Sequence, residues 1–394
     1  MAMIEDFIRY QAQTTPHPMG LTVDRAHGSY IYDTQGRKYL DFVAGVSACS
    51  VGHCHPEVVE AIQKQAQEYL HVMVYGEFAQ GPAVTLCKLL AEYLPKNLTT
   101  TYLVNSGTEA IEAALKLARI TTGRTQIIYA QKAYHGNTMG AMSVMDFDQR
   151  KAPFEPLIPD CHGIPFNDPS ALDMITNQTA AVILETIQGG AGFIVPDKDY
   201  LMAVRRRCTQ TGALLILDEI QPGFGRTGRL FGYEHFAIEP DILVMGKGMG
   251  GGLPIGALSS SHELMHYFST QPKLGHITTF GGHPLIAAAA LATLKVIKGP
   301  GFMPDVLRKE QLIRNHLQHP LIQEIRGIGL MLAIILPDKS LTDQVVLKCK
   351  ARGVLLFWLL YEDKAVRLTP PLTITDEEIA EGCATILEVL NELQ

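Results

Sequence analysis

An α/β fold built on a mainly parallel sheet is predicted by three observations. Apolar runs of strand length alternate with helically spaced ones from Thr101 to Met245. Glycines and polar residues gather where several of those runs end. After Pro284 the pattern changes character, as expected of a second, smaller unit. The chain has 394 residues, 47% hydrophobic and 19% charged, so it can bury a sizeable core in one large or two ordinary domains.

The opening, MAMIEDFIRYQAQ, is amphipathic and acidic and has no small-residue cleavage site, so it does not read as a signal peptide. Gly28–Leu40, GSYIYDTQGRKYL, reads as strand, turn and strand. Helical spacing runs from Pro56 to Tyr69. Next come a strand at Thr101–Val104, a helix over 108–120, and strands at Gln126–Tyr129 and Ala180–Leu184. A helix over 199–211 and strands at Ala213–Leu217 and Ile242–Met245 follow. Beyond Pro284 an alanine-rich helix (285–298) leads to IRGIGLMLAIIL, to a hairpin turning at Glu362–Lys364, and to a final helix. This tail reads as a smaller α+β unit.

Composition excludes several function classes. No apolar run is long enough to span a membrane without charge. A net charge of −7 argues against nucleic acid and anionic membrane surfaces. The seven cysteines contain no C-x-x-C and are odd in number, which fits reduced thiols of a cytoplasmic protein.

Ligands of open α/β sheets bind beyond the carboxyl ends of the strands. Three stretches lie at such ends. In TYLVNSGTEAIEAALKLAR, Ser106, Gly107 and Thr108 follow a strand and open a helix, which makes either a phosphate seat or a simple N-cap with Glu109. In LLILDEIQPGFGRTG, five apolar residues deliver Asp218 and Glu219 to a buried strand end. A carboxylate there needs a partner, either Arg226 or a cationic ligand. In DILVMGKGMGGGLPIGALSSS, Lys247 ends a strand inside a glycine cluster.

Gly246, Gly248 and Gly251 match a dinucleotide-binding G-x-G-x-x-G, but Leu253-Pro254 and an extended run follow where that motif requires a helix. His262, Glu263 and His266 match the H-E-x-x-H of zinc hydrolases, but no third ligand is evident and a chance match on a solvated helix explains them. A lysine closed in by backbone loses its proton more readily and becomes free for imine chemistry. Lysine for an imine, carboxylate for a ring nitrogen and helix N-terminus for a phosphate together describe a pyridoxal 5'-phosphate site.

The ordered blocks YIYDTQGRKYLDFVAGVSACSVGHCHPEVVEAI, NSGTEAIEAALKLAR, YHGNTMGAMS, ETIQGGAGF, LILDEIQPGFGRTG, PDILVMGKGMGGGLPIGA, TTFGGHPLIAAAALATL and VRLTPPLTIT span nearly the whole chain. Together they resemble the class III aminotransferases (the ornithine, acetylornithine and 4-aminobutyrate type) of pyridoxal-phosphate fold type I. The resemblance implies a seven-stranded, mainly parallel sheet with helices on both faces. It also implies a large domain over 46–284, and a small domain from both chain ends, 1–45 and 285–394. A homodimer with its active sites at the subunit boundary is implied too.

Carried over by position, Lys247 would bond to the cofactor and then shuttle the substrate proton, and Asp218 would pair with the ring nitrogen. Gln221 would reach the ring's 3-oxygen, with Glu185 and His135 in the polar shell. Ser106, Gly107 and Thr108 would hold the phosphate, helped by Thr279 of the neighbouring subunit. Tyr134 and Ile220 would flank the ring. Arg367 would clamp a substrate carboxylate, although alternation alone also allows a solvated strand face.

Two positions depart from the family. Acetylornithine-type members carry arginine in FHGR, where Asn137 stands here in YHGN. Ornithine-type members carry glutamate in QGEAG, where Gly190 stands in QGGAG. That glutamate normally covers the arginine while an ω-amino donor binds, so Arg367 is expected to stay open to carboxylates. The expected reaction moves an amino group from an α- or ω-amino acid to a 2-oxo acid such as 2-oxoglutarate, with two substrates in alternation. Acetylornithine as donor is put in doubt, and Trp358 and Tyr361 are candidates to line the pocket. The alternatives are an aminomutase or amino-acid racemase of the same fold, a non-catalytic binding protein, and the zinc hydrolase.

Overall fold

The computed structural model describes residues 2–394. Strands are numbered along the chain: β1 (Val23–His27), β2 (Tyr30–Asp33), β3 (Lys38–Asp41), β4 (Thr100–Val104), β5 (Gln126–Ala130), β6 (Cys161–Ile164), β7 (Thr179–Glu185) and β8 (Leu214–Asp218). They continue as β9 (Ile242–Gly246), β10 (Gly256–Ser260), β11 (Glu324–Ile328), β12 (Met331–Ile335), β13 (Val354–Leu355), β14 (Phe357–Trp358) and β15 (Ala365–Leu368).

The central sheet has seven strands in the order β4-β10-β9-β8-β7-β5-β6. Its inner strands are buried along nearly their whole length, and continuous apolar runs such as AVIL and LLIL are what a sheet covered on both faces demands. Every pairing is parallel except those of β10, which runs antiparallel to β4 and β9. The glycine cluster explains the reversal. Lys247–Gly250 form a tight turn, Gly251 and Gly252 take φ of +59° and +105°, and the chain returns with Gly256 facing Gly246. Strand β6 carries no apolar run, because CHGI sits half-exposed at the sheet edge, and its sequence gave no strand pattern.

Helix Gly107–Thr122 lies against the sheet with Ile111, Ala114, Leu117 and Ala118 buried, and Gly123 stops it in the left-handed conformation. On the other face, helix Pro284–Ile297 packs on Pro56–Glu68 and Gly81–Tyr93, its alanines letting the backbones approach. It therefore shares the core of the central sheet.

A second core joins Leu40 and Phe42 to Leu332, Val366, Ile379, Ile386 and Leu390, so the two chain ends fold together. The hairpin of β14 and β15 forms as the turn residues imply. Phe42 is fully buried, and a Cβ at Gly382 would lie 2.3 Å from its ring. Gly382→Ala is expected to cost about 1–3 kcal/mol of stability by overpacking, read from a denaturant melt. Among the described residues, no single helix is long and apolar enough to cross a membrane.

Candidate active site

Neighbouring strands β7 and β8 end in register on Glu185 and Asp218. Two carboxylates brought so deep need compensation, and each finds it differently. Asp218 Oδ2 lies 2.7 Å from His135 Nδ1, and its Oδ1 accepts the Ile220 N–H at 2.9 Å. Glu185 accepts the Tyr134 N–H at 2.9 Å and the Gly189 N–H at 2.8 Å. Burial pushes the Glu185 carboxyl up to about 7, with His135 pulling it down and Asp218 pushing it further up. The possible pairing of Asp218 with Arg226 does not form. Arg226 is fully buried elsewhere, donating to the carbonyls of Leu330 at 3.0 Å and Pro370 at 2.6 Å. Glu219, also fully buried, accepts from Thr186 Oγ1 and from the Gly232 and Tyr233 N–H groups.

Lys247 follows β9 with φ of +41°, a left-handed conformation that a lysine adopts only under constraint. Burial lowers the pKa of its amine, Asp218 raises it, Arg367 lowers it and Glu185 raises it. Its side chain keeps an opening, while the ammonium lies deep among these charges and enters none of the ion pairs of the described residues. The glycines around it serve contacts within the protein. A Cβ at Gly248 would strike Ser50 Oγ at 2.4 Å, and one at Gly251 would strike Thr293 Oγ1 at 2.3 Å.

The depressed pKa has a stability consequence. The folded chain holds the Lys247 proton less tightly than the unfolded chain, so this lysine destabilises the fold most below its folded pKa. That cost disappears as the pH approaches the ordinary lysine value, about 10.4. Lys247→Met is expected to raise the melting temperature of cofactor-free protein at pH 7, with a smaller gain at pH 10, in paired thermal melts.

At the end of β4, Ser106 Oγ accepts the Glu109 N–H at 3.3 Å and caps the helix. The Glu109 carboxylate turns to the Asn105 N–H at 2.8 Å, so the capping box is only half made. Thr108 Oγ1 lies 2.8 Å from Thr138 Oγ1, and Gly136, with φ of +129°, lets its loop close on Thr108. Ile220 packs against Gly107 and Gly246, which joins the ends of β4, β8 and β9. The start of this helix presents unfilled N–H groups and the positive end of its dipole, a fit for a phosphate.

Arg367 is only 6% exposed, and its Nε and Nη1 have no hydrogen-bond partner. Its guanidinium carbon sits 5.6 Å from the centre of the Phe193 ring, and burial pulls its pKa down to about 10. Strand β15 is buried on both faces, so the solvated-face alternative for Arg367 is overturned. An orphaned buried cation of this kind is a seat for an anion.

The remaining candidates divide. Gln221 is buried, donates to Ser47 Oγ at 3.3 Å, and crowds Gly189 together with Glu185. Tyr134 is half-buried, and burial raises its phenol pKa. Asn137 is exposed on the same loop. Thr279 is exposed and meets Tyr75 at 3.3 Å, while its neighbour Thr278 accepts from Asn105 Nδ2 at 2.7 Å. Trp358 turns away to Asp343, whereas Tyr361 reaches the Ala133 carbonyl at 3.3 Å. Their direction was unreadable in the sequence because both lie around a hairpin turn. Phe193 closes the block ETIQGGAGF, but nothing in the sequence tied its ring to the distant Arg367. His262 and His266 share a helix face, but their ring nitrogens meet Thr100 and Ser269. Among the described residues no three His, Cys, Asp or Glu side chains converge to hold a metal.

Known proteins resemble this chain in sequence and in fold. The family model "Aminotransferase class-III" matches residues 10–390. An acetylornithine aminotransferase of Archaeoglobus fulgidus is 36% identical over 93% of this chain and 95% of its own length. A putrescine aminotransferase of Pectobacterium atrosepticum is 39% identical over 98% of this chain and 86% of its own. The crystal structure of an ornithine aminotransferase from Toxoplasma gondii superposes with a TM-score of 0.92 at 32% identity, covering 99% of this chain and 94% of that one. A match of this length, on a sheet whose strand ends carry an isolated lysine, a buried carboxylate and a helix N-terminus, places the chain in the class III aminotransferases, as a pyridoxal-phosphate-dependent transaminase of fold type I.

Proposed function

We propose that this enzyme transfers amino groups from an α- or ω-amino acid to an acidic 2-oxo acid, with 2-oxoglutarate as acceptor. The observation that carries the reading of a carboxylate-bearing acceptor is the buried Arg367 guanidinium with two unpartnered donor atoms. Bound pyridoxal phosphate supplies an aldehyde that captures amines and a ring that draws electrons from them. Lys247 is the amine that holds it and moves the proton, and Asp218, steadied by His135, keeps the ring nitrogen protonated. Ser106, Gly107 and Thr108 hold the phosphate, and Gln221 and Glu185 serve the ring's oxygen side. Tyr134 and Ile220 flank the ring, and Asn137 lies at the entrance.

Gly190 leaves Arg367 uncovered by any carboxylate in both half-reactions. Arg367→Ala is expected to weaken the apparent affinity for glutamate roughly 100-fold, the scale of a buried charge pair losing one partner, with Arg367→Lys intermediate. A screen of amino donors against holoenzyme, scored by the colour change of the cofactor in a single half-reaction, tests the donor class. The ornithine-like names of the relatives make ornithine, acetylornithine and putrescine the first donors to try. Rapid turnover of a single amino acid with no 2-oxo acid added would favour an aminomutase or racemase instead.

The same reading includes a homodimer. Leu70, Phe78, Val84, Leu274, Ile277 and Phe280 are exposed apolar residues, and Thr279 lies among them. Thr279 then completes the phosphate seat of the second subunit. Phe78→Glu is expected to lower the sedimenting mass to that of the monomer. We further assign residues 46–284 to a large domain and 1–45 with 285–394 to a small one. Helix Pro284–Ile297 is the exception to that division, because its buried face belongs to the core of the large domain. The seven free cysteines suit a reducing cytoplasm.

A further inference from the structure

Thr138 heads the short helix Met139–Ser143, on the loop that carries Tyr134, His135 and Asn137. A threonine in that place ordinarily turns its hydroxyl back to accept the second or third N–H of its own helix. Here it makes no such bond. The Gly140 and Ala141 N–H groups donate instead to Glu112 Oε1, at 2.7 and 3.3 Å, on the long helix Gly107–Thr122. A Cβ at Gly140 would strike the Glu112 carboxylate, so this glycine is what lets the acid approach. The cap is thus supplied from outside, and the Thr138 hydroxyl is released for another partner.

That partner is Thr108. The Thr138 N–H donates to Thr108 Oγ1 at 3.2 Å, and the two hydroxyl oxygens lie 2.8 Å apart. Gly136 closes over the same oxygen, where any Cβ would collide with it. A hydroxyl has one proton to give and two lone pairs with which to accept. The Thr138 N–H occupies one of the lone pairs on Thr108 Oγ1. When the Thr138 O–H occupies the other, the Thr108 oxygen has nothing left to offer except its own proton. An anion at the start of the helix needs donors only, and a lone pair turned toward it would repel it.

We propose that Thr138 is a positioning residue, whose N–H and O–H both donate to Thr108 Oγ1 and so commit the Thr108 proton to the cofactor phosphate. This rests on the reading of Ser106, Gly107 and Thr108 as the phosphate seat. Glu112 acts one step further back, because by capping the short helix it frees the Thr138 hydroxyl for this task. Each donor in the series then has its acceptor, and each bond polarises the next.

The test uses the full chain freed of cofactor. Equilibrium dialysis measures its affinity for pyridoxal phosphate and for pyridoxal, which has the same ring and aldehyde without the phosphate. The ratio of the two affinities isolates the phosphate. In Thr138→Val the ratio is expected to fall roughly tenfold, the scale of one hydrogen bond to a charged group, while the affinity for pyridoxal holds. Thr138→Ser restores the hydroxyl and is expected to recover most of the ratio. Glu112→Ala is expected to show the same selective loss, since the bared N–H groups draw the Thr138 hydroxyl back to its own helix. It decides the matter should Thr138→Val not fold. An unchanged ratio in Thr138→Val, equal losses for the two ligands, or a Thr138→Ser ratio as low as that of Thr138→Val overturns the proposal. Thr108→Val separates the two readings. A ratio lowered there but not in Thr138→Val leaves the phosphate seat standing without Thr138, whereas a ratio unchanged in Thr108→Val defeats the part of the seat on which the proposal rests.

Discussion

Lys247→Ala is expected to reduce turnover roughly 10²- to 10⁴-fold or more, the range of a lost general acid–base group with loss of the covalent anchor added to it. The lysine amine lies under the influence of Asp218, Glu185 and Arg367, and burial has already lowered its affinity for its proton. Lys247→Arg is the informative control, since it keeps the positive charge and removes the nucleophile. Both variants are expected to be inactive in steady-state assays. Borohydride reduction of wild-type holoenzyme followed by peptide mapping is expected to mark position 247. Wild-type turnover in either variant, or a label at another lysine, would remove Lys247 from the centre of the chemistry.

The second large effect is expected at Asp218. Asp218→Asn keeps the size of the side chain and removes its charge, so the fold should survive. Turnover is expected to fall roughly 10²- to 10³-fold, the scale of losing one preorganised electrostatic contact. The carboxylate has used one oxygen on His135 and the other on the Ile220 N–H, and its remaining lone pairs are available to a ring N–H. The loss should appear in kcat more than in KM, because the charge matters most when the ring takes up electrons. His135→Ala separates contact from charge: it frees one Asp218 oxygen and is expected to cost less than Asp218→Asn.

Much of this site was legible in the sequence, for a physical reason. A buried strand that ends in a charged residue advertises its own cost, and Asp218 and Lys247 both do so. Arg367 was legible through the two-residue period of β15, since Val366 and Leu368 belong to the second core. Contacts between distant segments were not legible. The partner of Asp218 is 83 positions away, and nothing around His135 separates a pairing with Asp218 from a place in the core. The turn made by Gly251 and Gly252 was hidden likewise, because a glycine reports freedom of the backbone without saying what approaches it.

Strand β3 pairs in parallel with β13, Leu40 beside Val354. The ribosome therefore releases the first partner more than 300 residues before the second. At roughly 5–20 residues per second, Leu40 and Phe42 wait about 15 to 60 s for the hydrophobic surface that will cover them. Through that interval the nascent chain carries an unfinished sheet edge, a natural foothold for a holding chaperone. A premature stop before Val354 would leave β3 without that neighbour and Leu40 and Phe42 without part of their cover.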